Sequence, residues 1–123
     1  MQVDITPLQD TIKTALEDLK AVDISLLEVE GMTSIADVIF IASGNSDRHV
    51  KSIAENVIQA CKQAGTQPLG TEGLKEGEWV LVDLGDIIVH VMMPQVRDFY
   101  NLEKLWDKSL AVRQENDKTS VAS

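Results

Sequence analysis

Hydrophobic and polar positions change period several times along this chain, and each change marks an element. Two apolar runs, Trp79–Leu84 and Ile87–Met93, flank Gly85-Asp86. That dipeptide can supply the dihedrals of a two-residue hairpin turn, so the runs are expected to pair as antiparallel strands. With the turn placed there, Leu84 faces Ile87, Val82 faces Val89, Val80 faces Val91, Leu81 faces His90 and Trp79 faces Met92. Alternation then sorts the side chains by face. One face holds Val80, Val82, Leu84, Ile87, Val89 and Val91, all aliphatic, and is expected to lie on the main core. The other holds Trp79, Leu81, Asp83, Ile88, His90 and Met92, large and partly polar groups that resemble the centre of a protein interface. A second core layer under a helix would use the same side chains, and the pattern alone does not separate the two.

The flanking segments read more plainly. Thr6-Pro7-Leu8-Gln9 has the form of an N-cap Thr followed by Pro at the first helical position. Leu8, Ile12, Ala15, Leu16 and Leu19 then recur at helical spacing, predicting a first helix over Pro7 to Lys20. Ile24 to Glu30 and Val38 to Ser43 are strand-like, each ending at a glycine, and the second is apolar throughout, as a central strand covered on both faces would be. After Gly44-Asn45-Ser46 the stripe Val50, Ile53, Ala54, Val57, Ile58, Cys61 and Ala64 predicts a second helix, closed by Gly65. Gln67 to Gly73 can form a short edge strand, with Pro68 tolerated at its start. Pro94 stops the hairpin, and Arg97, Phe99, Tyr100, Leu102, Leu105 and Trp106 follow as a short helical stretch. The stripe is lost after Leu110, which predicts one domain over residues 1–106 and a disordered tail over 107–123. The whole is an α/β (α+β) pattern: a mixed sheet of about five strands with helices packed on it.

Composition narrows the function classes. A chain of 123 residues with 44% hydrophobic positions supports one domain with a real core. It contains no run of roughly 18 apolar residues and no basic leader, so a soluble cytoplasmic protein without membrane contact is expected. A formal charge of −9 disfavours direct binding to a nucleic-acid backbone and suits a basic protein partner. The single cysteine, Cys61, lies on a helical apolar stripe, where it is expected to act as a small hydrophobe.

Few residues suggest chemistry. The Gly44-Asn45-Ser46 junction could bind phosphate at a helix N-terminus, yet the P-loop and G-x-G-x-x-G spacings are missing. A tight structural turn with Ser46 or Asn45 as N-cap explains the same residues. Nucleotidyltransferase-fold enzymes follow a Gly-Ser turn with a D-x-D pair for two metal ions, whereas here Ser46 is followed by Asp47-Arg48-His49. Asp83 and Asp86 are expected to cap the hairpin turn. His49, His90 and Cys61 share no ligand spacing, so neither metal nor cofactor is expected. A nucleotide-binding or nucleotidyltransferase-like enzyme using the Gly44–Ser46 turn is the alternative reading.

Four motifs together resemble a known family. They are Gly44-x-Ser46-x-Arg48-His49-Val50, Pro68-Leu69-Gly70-x-Glu72-Gly73, Trp79 through Asp86 with Val89-His90-Val91, and Arg97-x-x-Tyr100-x-Leu102-Glu103-x-Leu105-Trp106. From about Leu8 to Trp106 the chain is similar to ribosomal silencing factors of the Iojap family. The resemblance implies a small homodimeric protein, related in fold to nucleotidyltransferases but without catalytic carboxylates and not an enzyme. It further implies binding to the large ribosomal subunit, on its fourteenth protein, and repression of translation by blocking subunit joining when nutrients are short. Carried over by position, Trp79 matches the tryptophan central to that contact. Leu81, His90, Met92 and Tyr100 join it through the hairpin register, and Arg97 and Glu103 of the last motif complete the expected partner-binding set.

Overall fold

The computed structural model describes residues 4–106. Its elements are α1 (Thr6–Asp18), β1 (Val22–Glu28), β2 (Val38–Ser43), α2 (Asp47–Gln63), β3 (Gly70–Glu72), β4 (Trp79–Asp83), β5 (Ile87–Met92) and α3 (Pro94–Tyr100), with a closing 3-10 turn at Leu102–Trp106. The five strands form one mixed sheet in the order β1-β2-β5-β4-β3. Only β2 and β5 run parallel; the other neighbours are antiparallel. No helix among the described residues is long and apolar enough to cross a membrane. The predicted tail, 107–123, lies outside the described residues.

The hairpin forms in the predicted register, with Trp79 opposite Met92 and Leu81 opposite His90. Gly85 takes φ +91 in the turn and its N–H donates to Asp83 Oδ1 at 2.9 Å, so Asp83 caps the turn. The aliphatic hairpin face joins Val38, Phe40 and Ala42 of β2 under α1 and α2, which contribute Ile12, Leu16, Val50, Ile53, Val57 and Cys61 to one fully buried core. Burial there pushes the Cys61 thiol up to about 11, as for an inert hydrophobe. The other face carries a second, smaller cluster of Val29, Ala36, Ile39, Ile41, Ile88 and Met92, partly roofed by Met32, Val96 and Leu102. Both readings of the mixed face are therefore realised in different places: part is a second core layer, and part stays open.

Three local expectations are corrected. Ile5, not Thr6, is the N-cap of α1, because Asp4 Oδ1 accepts from Thr6 N at 3.0 Å and moves the helix start one residue earlier. The helix ends at Asp18 rather than Lys20, since Lys20 adopts a left-handed φ of 58. β1 covers Val22–Glu28 rather than Ile24–Glu30, and its register against β2 shifts between Val22 and Ser25, where Asp23 has φ 51.

The β2–α2 junction follows from close packing. A Cβ on Gly44 would stand 2.8 Å from both Cγ2 and N of Val50, so only glycine lets the first turn of α2 come down onto the sheet. Ser46 is extended and its Oγ accepts from His49 N at 3.1 Å, the N-cap bond expected of it. The Gly44→Ala protein is expected to lose about 1–3 kcal/mol of stability through overpacking, read as a lower urea midpoint at unchanged slope.

Candidate functional site

The open part of the sheet is occupied by a series of rings. Trp79 Nε1 donates to His90 Nδ1 at 2.9 Å, and their rings lie 5.9 Å apart at a 54° tilt. The indole also packs on Tyr100 at 5.0 Å, and Tyr100 meets Phe99 edge-on at 5.0 Å. Phe99 is 80% exposed and Tyr100 55% exposed, so the series runs from a half-buried His–Trp pair out into solvent. Leu81 lies beside His90 in the register and is half-buried. Glu72, its partner on β3, places a carboxylate on the same face, in keeping with the acidic character of the chain.

α3 holds the outer rings in place through Arg97. Its guanidinium donates from Nε to Glu103 Oε1 at 2.8 Å, from Nη1 to Ser43 Oγ at 3.0 Å and from Nη2 to Ser25 Oγ at 3.2 Å. Nη1 also reaches the Val22 carbonyl at 3.5 Å, next to the β1 irregularity. Ser25 Oγ in turn donates to Glu103 Oε2 at 2.8 Å. The geometry depends on Asn101, which takes a left-handed φ of 50 and turns the chain so that Glu103 comes back over Arg97. The hydrogen bond from Arg97 holds the Glu103 carboxyl below the usual glutamate value.

Of the expected partner-binding residues, the structure gathers Trp79, Leu81, His90 and Tyr100 on one open surface. Met92 and Arg97 are corrected: Met92 has no exposed surface and Arg97 is 8% exposed, so both support the face from within. Glu103 spends both carboxylate oxygens on that clasp. Phe99 lies outside the expected set, yet it is the most exposed ring of the series, on a helix whose buried residue is Arg97. The signal was the adjacent Phe99-Tyr100 pair in a helix of 7 residues.

The other candidate chemistry is engaged internally. At the start of α2, Asn45 N donates to His49 Nδ1, Arg48 N to Asp47 Oδ1 and His49 N to Ser46 Oγ, so amides that a phosphate would use already have partners. His49 Nε2 lies 2.7 Å from the Leu19 carbonyl and, as the donor, ties this turn to the end of α1. Among the described residues, no group of three or more His, Cys, Asp or Glu is placed to hold a metal.

Burial pushes the His90 imidazole from 6.5 down to about 4. Between those values the unfolded chain binds the extra proton, so stability rises with pH and is lost as pH falls from 6.5 towards 4. Glu103, lowered by Arg97, adds a loss in the same direction once pH falls below its ordinary 4.5. Stability measured by urea unfolding is expected to drop by about 1–2 kcal/mol from pH 7 to pH 5, and the His90→Asn protein to show a flatter dependence over that range.

The comparisons with known proteins agree with one another. A family model described as "Ribosomal silencing factor during starvation" matches residues 3–123. The ribosomal silencing factor of Chromobacterium violaceum is 49% identical over 92 residues, which cover 75% of each chain. That of Bacillus subtilis is 46% identical over 92 residues, covering 75% of this chain and 78% of its own. The chloroplastic Iojap protein of Zea mays is 26% identical over 83% of this chain and 44% of its own. A crystal structure of a Chromobacterium violaceum protein superposes with a TM-score of 0.83 at 44% identity, covering 85% of this chain and 87% of that one. A match over almost the full length, shared by bacterial relatives and a crystal structure of the same fold, makes this chain a member of the ribosomal silencing factor family.

Proposed function

We propose that this protein represses translation by seating its open ring face on the large ribosomal subunit and blocking the approach of the small one. The observation that carries the reading is the solvent-facing series Trp79–Tyr100–Phe99, an apolar and aromatic surface on a chain of net charge −9. Such surfaces supply interface hot spots, and an acidic protein is steered towards a basic ribosomal protein. The partner we propose is the fourteenth protein of that subunit, as the resemblance to Iojap proteins implies. A homodimer is proposed for the free protein, and the cytoplasm follows from the ribosomal partner.

The action needs occlusion and no reaction. It is competition between two ligands of one surface, so it saturates near one binding unit per large subunit and requires neither nucleotide nor metal. The internal engagement of the α2 amides supports this reading over a nucleotidyl-transferring one.

Purified small and large subunits, mixed at a magnesium concentration that permits joining and resolved on a sucrose gradient, are expected to show fewer joined ribosomes when the protein is present. Ribosomes already joined should be little affected. Unchanged joining at saturating protein, or inhibition that depends on a nucleotide, overturns the occlusion reading.

Phe99→Ala with Tyr100→Ala separates docking from folding better than Trp79→Ala, because Trp79 also packs against the smaller cluster while the two outer rings are largely exposed. Each outer truncation is expected to shift stability by no more than about 0.5–1 kcal/mol. If either ring is a hot spot, the double variant binds large subunits at least roughly 30-fold more weakly, as ~2 kcal/mol implies.

A further inference from the structure

We infer that His90 acts as a positioning residue, a fixed acceptor that sets the Trp79 indole in its docking orientation, rather than as a direct contact to the partner. The inference rests on the docking reading above. An indole N–H can only donate, so its 2.9 Å bond to His90 Nδ1 requires the lone pair on Nδ1 and the proton on Nε2. The tautomer is thus dictated by Trp79.

The surroundings of His90 keep Nδ1 in that state. The residue is half-buried, with Leu81 of β4 and Ile41 of β2 as its cross-strand partners and Ile88 and Met92 as its neighbours along the same face of β5. All four are apolar. The titratable groups on adjoining elements are otherwise engaged or set apart. Asp83 on β4 accepts from Gly85 N, Arg97 on α3 is turned to Glu103, Tyr100 packs on the indole, and Glu72 lies one strand further out on β3. Desolvation alone accounts for the lowered imidazole pKa.

The bond matters because Trp79 is held from two directions. Tyr100 supports the ring against tilting, and the hydrogen bond to His90 fixes which edge of the indole points inward. Without the acceptor, the half-buried indole gains rotameric freedom that docking must remove, and affinity falls by about tenfold.

The test uses two substitutions and one reporter. His90→Asn retains a side-chain acceptor near the place of Nδ1, whereas His90→Leu fills the space without one. The reporter is the indole ¹H–¹⁵N resonance of Trp79, identified by its loss in the Trp79→Phe protein. Its shift and slow solvent exchange are expected to be kept in His90→Asn and changed in His90→Leu. In binding to purified large subunits, His90→Leu should weaken affinity about tenfold and His90→Asn should restore most of it. In a Trp79→Phe background, His90→Leu should add nothing, because the group it positions has lost its N–H.

An indole signal indifferent to His90→Leu overturns the positioning role whatever the ribosome assay shows. Full additivity of the two substitutions also overturns it and makes His90 a direct contact. A responsive indole combined with unchanged subunit binding by Trp79→Ala defeats the docking reading instead, which separates the two failures.

Discussion

The parallel pairing of β2 with β5 is the constraint from which the remaining structure follows. Both strands are almost wholly buried, and their six paired positions run from Val38 with Ile87 to Ser43 with Met92. Parallel neighbours cannot be joined by a tight turn, so the chain between them has to leave the sheet and return. It leaves as α2, which covers the aliphatic face, and returns through β3 and β4, which extend the sheet beyond β5. Trp79 thereby arrives beside Met92 at the end of the sheet where α3 begins, and Met93 N donates to the Glu78 carbonyl at 2.9 Å to close that corner. The position of the ring face is a consequence of this crossover.

The two sheet faces solve the burial problem differently. Under α1 and α2 the core is apolar and continuous. On the opposite side the cover is short, and the end of the sheet is secured by the Arg97 clasp. Arginine suits this task because its planar fork can bond several acceptors at once, here from β1, β2 and the closing turn. A buried charge is expensive to desolvate, and Glu103 with the serine hydroxyls offsets that cost. The result is an α3 tied to β1 and β2 with Phe99 and Tyr100 left in solvent. Aromatic side chains held on a hydrogen-bonded support lose little freedom when a partner covers them, which is the physical argument behind the docking face proposed above.

Periodicity by itself determined the order and type of the elements, the hairpin register and the aliphatic core face, but not the ends of α1 and β1. Those features depend on local dihedral preferences and on alternation with a period of 2, both of which act over a few residues. Gly44, Ser46, Gly85 and Asp83 were likewise readable as turn residues, because a turn's chemistry is contained within it. What periodicity could not separate was the fate of the mixed face, where Met92 and Trp79 stand opposite each other in the hairpin and end up differently. Met92 is fully buried in the smaller cluster, under cover that includes Met32 from the far side of the chain as well as Val96 and Leu102, and Trp79 is left partly open. The tertiary structure alone decided that Arg97 and Glu103 work inward, since their partners Ser25 and Ser43 lie more than fifty positions away. It alone also decided that His90 faces the indole, because a cross-strand hydrogen bond depends on rotamers chosen by packing, and those are not written in the order of residues.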